Sequence, residues 1–323
     1  MVTARAHTNI ALVKYWGKAD QELIIPQTDS LSLTLDEFYT DTTVNFDPDL
    51  THDQIAINGT LLSANAAGKI TRVLDIVREL SGENKFAKVN STNHVPTSAG
   101  LASSASAFAA LATAASQAAG LHLSKKDLSR LARRGSGSAT RSIYGGLVEW
   151  HRGNNDATSF AEPIMEELDF GLEMMAILTD TKKKKISSRQ GMQSSVTTSP
   201  YYPAWKEVVA QDMVAMKDAI AAKDIDSIGH IAEENALRMH ALTMSADPGY
   251  TYFNGDTIKA INAVNFLRKN GINCYYTMDA GPNVKVIYDK ANRQEILKYL
   301  SQVFNAENIV ISKPGPGIQI IED

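Results

Sequence analysis

At 323 residues the chain is longer than one hydrophobic core usually serves, so two domains of roughly 150 residues each are expected. Its 44% hydrophobic and 21% charged residues are those of a folded globular protein and exclude a largely disordered or fibrous one. A formal net charge of −4 argues against a general nucleic-acid binder, which needs clustered Lys and Arg, so any anion site must be local. The lone Cys274 forms no intrachain disulfide, the opening Met-Val-Thr-Ala-Arg-Ala-His lacks the apolar centre of a signal peptide, and no apolar run approaches the roughly 20 residues that span a bilayer. A cytoplasmic protein with no membrane partner is expected.

In chain order, the alternation of Ser30 to Leu35 predicts a strand with Leu31, Leu33 and Leu35 on one face and a small, polar opposite face. Gln54 to Leu62 reads as a hairpin around Asn58-Gly59. Ile70, Val73, Leu74, Val77 and Leu80 recur at three-and-four spacing, a helix that Ser81-Gly82 should stop. A strand over 86–92, a loop from His94 to Ala99, a small-residue helix to Gly120 and a helix near Lys125–Arg134 follow. After a Gly/Ser loop, strands are expected near Gly146–Trp150 and Leu172–Leu178. Helices are predicted over Pro200–Ala222, Asp226–Met239, Asp256–Asn270 and Gln294–Phe304. Strands are predicted over Ile272–Met278, Val284–Tyr288 and Ile309–Ser312. Strands cluster rather than alternate with helices, which gives an α+β class, and the boundary is placed near residue 180, dividing 1–180 from 181–323.

Pro96-Thr97-Ser98-Ala99-Gly100-Leu101-Ala102-Ser103-Ser104-Ala105 joins a strand to a helix through residues of almost no bulk. A helix start presents unpaired N–H groups and a positive dipole end, and Ser103 and Ser104 add hydroxyls, so the stretch suits a polyphosphate. The same composition also serves a helix packed tightly against its neighbours. No Walker A loop is present.

That stretch resembles the phosphate motif of the GHMP kinases, Pro-x-x-x-Gly-Leu-x-Ser-Ser-Ala. Asn9-Ile10-Ala11-Leu12-Val13-Lys14-Tyr15-Trp16-Gly17-Lys18, Arg134 to Ser142 and Met278-Asp279-Ala280-Gly281-Pro282-Asn283-Val284-Lys285 resemble the diphosphomevalonate decarboxylases of that superfamily, and the matches run in the family's order. The resemblance implies a two-domain GHMP kinase fold, with an N-terminal domain like ribosomal protein S5 domain 2 and a ferredoxin-like C-terminal domain. It also implies that mevalonate 5-diphosphate is decarboxylated with ATP to isopentenyl diphosphate. Ser98, Gly100, Leu101, Ala102, Ser103 and Ser104 would then hold the ATP phosphates.

Tyr15, Trp16 and Lys18 supply a phenol, an indole N–H and an ammonium around a glycine bend; alone they read more often as an interfacial aromatic pair with a solvated lysine. The resemblance puts them on the substrate diphosphate. Ser136 and Gly137 lie in an acid-free Gly/Ser loop, a second anion candidate, and Arg141 offers a planar fork for a carboxylate. The resemblance places Arg141 on the carboxylate that leaves as carbon dioxide, oriented by Asn9. The run Lys182–Lys185 is ordinarily a solvated face, yet Ser188 and Arg189 follow at once, and the family uses a serine and an arginine here for the diphosphate. Lys184 is assigned to ATP. Asp279 stands where a strand meets a turn-forming sequence; it reads as a turn cap or, by resemblance, as the group that accepts or orients the proton of the 3-hydroxyl.

Met239, His240 and Met244 read as helical core, and the histidines lack tight metal-ligand spacing. Magnesium with ATP is the one metal inferred, with Ser103 or Ser104 as candidate ligand and no residue firmly assigned. The expected partners are mevalonate 5-diphosphate, ATP and a second copy in a homodimer, without nucleic acid. A GHMP kinase that stops after phosphorylation and a nucleotide-binding sensor without turnover are the competing readings; an RNA-binding role by analogy to S5 is the weakest.

Overall fold

The computed structural model describes residues 1–94, 103–179 and 186–321, the Ser103 side chain excepted. The first half runs β1 (Val2–Val13), β2 (Lys18–Asp20), β3 (Ile25–Pro26), β4 (Ser30–Asp47), β5 (Gln54–Ile57), β6 (Thr60–Leu61), α1 (Ala64–Ser81), β7 (Phe86–His94), α2 (Ser103–Ala118), α3 (Lys125–Gly135), a 3-10 helix (Gly137–Ile143), β8 (Leu147–Trp150) and β9 (Ala161–Met165). The second runs β10 (Leu172–Ile177), α4 (Ser188–Thr198), α5 (Tyr202–Ala221), α6 (Ile225–Met244), α7 (Gly255–Lys269), β11 (Cys274–Met278), β12 (Val284–Asp289), α8 (Arg293–Val303), β13 (Ile309–Ser312) and β14 (Gln319–Ile321).

An eight-stranded sheet has the path β14-β1-β4-β7-β5-β6, with β8 on the near half of β4 and β9 outside β8. A four-stranded antiparallel sheet has the order β11-β12-β10-β13. Strands cluster in two sheets, an α+β architecture. Sheet membership changes between β9 and β10, one strand before residue 180, and β14 returns to pair with β1. Among the described residues no helix is long and apolar enough to cross a membrane.

β4 behaves as its alternation predicts, because Leu31, Leu33 and Leu35 join a core with Met174, Ala176 and Ile287 of the second sheet and Trp205 and Met239 of α5 and α6. Its small face, Ser30 and Ser32, is thereby left for polar work. α1 is capped by Ser63 and ends at Gly82 in the left-handed conformation, where only a residue without Cβ sits without strain. β1 carries no alternation to read: Ala6 to Val13 are all buried, with α2 and α6 both touching the strand. It therefore lies between the two halves of the molecule and delivers its last residues into the gap between them.

Candidate active site

A cavity of about 410 Å³ opens where the end of β1, the 3-10 helix, the start of α4 and the turn after β11 converge. One of its buried cations is Arg141, only 2% exposed. Nε donates to Ser32 Oγ at 2.9 Å and to Asn9 Oδ1 at 3.3 Å, Nη2 donates to the same Asn9 oxygen at 3.3 Å, and Nη1 bonds Ser30 Oγ. Asn9 is itself fixed, donating to the Ser138 carbonyl at 2.9 Å and Ser142 Oγ at 2.8 Å. The guanidinium is thus aimed by neutral partners, and its charge is left over for an anion. Burial pushes it down to about 10, so it stays ionised at neutral pH.

Across the cavity Asp279 is the first residue after β11, its carbonyl accepting Gly281 N–H at 2.7 Å in the turn. Its carboxylate is gripped from two sides. Lys14 Nζ donates to Oδ1 at 2.9 Å and to the Ala11 carbonyl at 2.7 Å, while Lys285 Nζ stands 3.4 Å from Oδ2. Burial pushes the Asp279 carboxyl up, but the two ammoniums outweigh it and hold the group far below the usual carboxylate range. Burial in turn pushes Lys14 down to about 8, against the pull of Asp279. Burial and the Lys14 charge push His240 down to about 3, so its ring is neutral beside this cluster. α6 fixes the strand end, because Asn235 Oδ1 accepts Lys14 N–H at 2.8 Å.

Toward the mouth lie Tyr15, Lys18, Ser136, Gly137, Ser188 and Arg189, with Ser104 at the start of α2. Tyr15 Oη is buried and has no hydrogen-bond partner among the described residues, a group that a ligand oxygen would satisfy. Ser136 Oγ donates to Ser104 Oγ at 3.3 Å, tying the Gly/Ser loop to the start of α2. Lys18 is pushed down to about 8, first by burial and then by the charges of Arg189, Lys69 and Arg72. Lys69 lines the same cavity, and Arg72 lines the adjoining cleft with Arg134 and Arg189.

Two residues differ from their expected use. Trp16 lines the cavity, but its indole N–H already donates to Ser195 Oγ at 3.0 Å and its carbonyl accepts Tyr202 Oη at 2.7 Å, so it is a packed wall rather than a donor. At Gly137 a Cβ would meet Tyr15 and Trp150 ring atoms at 2.9 Å, so the glycine is required by aromatic packing. Ser98, Gly100, Leu101, Ala102 and Lys184 lie outside the described residues, as does the Ser103 side chain. The Gly/Ser loop is mostly the 3-10 helix, and α4, absent from the predicted helices, begins at a capping box of Ser187 and Gln190. Met239 lines the cavity, His240 is core and Met244 is 55% exposed.

Lys14, Lys69, Arg72 and Lys285 went unnoticed in the sequence. With them, the described lining sets Lys14, Lys18, Lys69, Arg141 and Arg189 against one carboxylate, Asp279. Among the described residues no group of three or more His, Cys, Asp or Glu could hold a metal, and both Asp279 oxygens are occupied by ammoniums.

This architecture and its cation-rich pocket define a protein of the GHMP kinase fold. A profile for the diphosphomevalonate decarboxylase-like N-terminal domain matches residues 6–161, and one for the mevalonate 5-diphosphate decarboxylase C-terminal domain matches 174–315. A diphosphomevalonate decarboxylase of Ganoderma lucidum is 36% identical over 95% of this chain and 83% of that protein. A Staphylococcus aureus mevalonate diphosphate decarboxylase structure superposes with TM-score 0.96 at 47% identity, covering 99% of this chain and 98% of that one. The structure of MDDEF in complex with MVAPP, AMPPCP and magnesium superposes with TM-score 0.95 at 49% identity, covering 100% and 99%. The chain belongs to the diphosphomevalonate decarboxylase family.

Proposed function

We propose that this pocket decarboxylates mevalonate 5-diphosphate with ATP, yielding isopentenyl diphosphate, ADP, phosphate and carbon dioxide through phosphorylation of the 3-hydroxyl. The observation that carries the reading is the cavity's charge: among its described lining residues five cations, one of them a buried guanidinium held by neutral partners, face a single carboxylate. Such a site is unbalanced until it receives a polyanion.

Asp279 accepts the 3-hydroxyl and aligns its oxygen for in-line attack on the γ-phosphate of ATP. Held well below the usual carboxylate range, it orients the hydroxyl better than it retains the proton. Arg141 fixes the substrate carboxylate as a bidentate fork. When the 3-phosphate leaves, the C–C bond to that carboxylate supplies the electron pair of the alkene and carbon dioxide departs. Tyr15, Lys18, Ser188 and Arg189, joined by Lys69, hold the diphosphate at the mouth. ATP enters as its magnesium complex, the metal offsetting triphosphate charge, and Ser104 offers it a hydroxyl. A cleft of about 210 Å³ lined by Ile57, Ile70, Val89, Phe108 and Leu111 shares Ser104 with the main cavity, and its apolar walls suit the nucleotide base. The division into residues 1–180 and 181–323 is kept as a proposal, in which β10, before the boundary, crosses over to pair with β12 and β13 of the second sheet. A cytoplasmic homodimer is proposed as the working form and is checked by sedimentation.

The deciding experiment incubates purified protein with magnesium, ATP and mevalonate 5-diphosphate and follows ADP, phosphate and carbon dioxide together, with mevalonate 5-phosphate as a parallel substrate. Equal amounts of the three products support the reading. ADP without carbon dioxide would move it to a kinase that stops after phosphorylation.

A further inference from the structure

Lys285 sits inside β12, where Val284 to Tyr288 are all buried, and is itself 1% exposed. In register it lies opposite Thr277 of β11 and Ala176 of β10, on the sheet face whose apolar residues pack toward α6. Its ammonium stands 3.4 Å from Asp279 Oδ2 and donates to the Asn283 carbonyl at 3.3 Å, and it does not line the cavity. Lys14 is equally buried, but it lines the cavity and makes a shorter bond, 2.9 Å, to the other carboxylate oxygen. The carboxylate is therefore held between one cation that a ligand can reach and one that it cannot.

Stability does not account for such a residue, since replacing a buried ion pair by apolar side chains of similar volume is often neutral or stabilising. Its geometry acts on Asp279. With Oδ2 held from behind, the carboxylate plane is fixed and Oδ1 is presented to the pocket. Lys14 already spends one N–H on Oδ1 and one on the Ala11 carbonyl; without Lys285, Oδ2 is free to turn onto it as well and take the third. The charged and titratable groups facing this carboxylate are Lys14 of β1, Arg141 of the 3-10 helix, Lys285 of β12 and the neutral His240 of α6. We propose that Lys285 is a positioning residue: from behind the pocket it fixes the Asp279 carboxylate and leaves the third N–H of Lys14 available to the incoming phosphoryl oxygens. This rests on the role given to Asp279 above.

The test compares Lys285→Met, Lys285→Arg, Asp279→Asn and the double variant Asp279→Asn/Lys285→Met by thermal midpoint, both KM values and single-turnover ADP formation across pH. Lys285→Met should fold and keep both KM values within about threefold, while single turnover slows at least about tenfold, the scale of one lost hydrogen bond to a charged group. Loss of one ammonium raises the Asp279 pKa, so the acid limb of kcat/KM moves to higher pH. Lys285→Arg should recover part of the rate. In the Asp279→Asn background the Met substitution should add no further loss, because Lys285 acts through that carboxylate. A folded Lys285→Met with unchanged single turnover and acid limb overturns the proposal. So does an equal loss in both backgrounds, the mark of a merely structural role. If the Met variant fails to fold, Lys285→Gln, which keeps a donor without the charge, takes its place under the same criteria. A fast Asp279→Asn enzyme refutes the role of Asp279 itself, whereas a slow one beside a silent Lys285→Met refutes only the positioning role.

Discussion

The inner end of the pocket and its mouth use cations in opposite ways. Inside, Arg141 is 2% exposed and held by Asn9, Ser30 and Ser32, and Lys14 is 1% exposed on Asp279. At the mouth Lys69, Arg72 and Arg189 are exposed and crowd Lys18, and among the described residues none of the four is ion-paired to a carboxylate. Buried, hydrogen-bonded charge is pre-organised and pays no reorganisation during reaction, so it should govern turnover. Solvated charge is screened and mobile, so it should govern capture. The difference separates kcat effects from KM effects along one cavity.

Asp279→Asn should break the inner end most. Single-turnover ADP formation should fall at least about 100-fold, the lower end of general-base contributions, with carbon dioxide falling in step. The fold should survive despite two ammoniums losing their counterion. Asp279 is what raises Lys14 toward its present value of about 8, so without it Lys14 gives up its proton more readily, which relieves part of the uncompensated charge. A folded variant with near wild-type single turnover would leave Asp279 as a turn cap only. Arg141→Lys should come next, with about 10- to 100-fold lower kcat and near-normal ATP affinity, because a point charge cannot match the fork that Asn9 and Ser30 hold. Undiminished carbon dioxide production would remove Arg141 from the chemistry.

That inner end was half legible in the sequence. Asn9, Arg141 and Asp279 stand in stretches with small or turn-forming neighbours, and the polar face of Ser30 and Ser32 showed in the alternation of β4. Lys14 lay inside a motif already singled out, but a lysine in a strand ordinarily reads as a tip reaching solvent. For Lys285 the available signal was a lone charge between Val284 and Val286 in an otherwise apolar strand. At the mouth, Lys69 and Arg72 sit on the polar side of an amphipathic helix, where nothing local separates a ligand-binding cation from a solvated one. β1 escaped because burial on both faces removes the period-two pattern, and α4 because the lysine run before it drew attention from its capping box.

Arg189→Gln sharpens the mouth. KM for mevalonate 5-diphosphate should rise about three- to tenfold with kcat changed less than about twofold, the size of a partly screened charge contact. The wild-type KM should also climb with ionic strength, and the variant's less steeply. A kcat loss as large as that of Arg141→Lys would erase the distinction between the two ends.

The smallest effect is a proton count. Lys18 is held down to about 8 by burial and by Arg189, Lys69 and Arg72, so at pH 7 about nine-tenths of free molecules already carry its charge. Binding a diphosphate favours the charged form and raises that pKa. Substrate should therefore bind with little proton uptake below pH 7. The share from Lys18 should grow through pH 8 toward about one proton, and affinity should decline above pH 8 because the free enzyme must then be protonated in order to bind. Calorimetry of mevalonate 5-diphosphate binding without ATP, in two buffers of different ionisation enthalpy, measures the uptake. Lys14 is also held near 8 and lines the cavity, so the wild-type count contains both lysines. The difference between wild type and Lys18→Gln isolates the mouth. If uptake at pH 8.5 is absent, or persists undiminished in Lys18→Gln, then Lys18 does not meet the diphosphate and the cationic mouth acts only at long range.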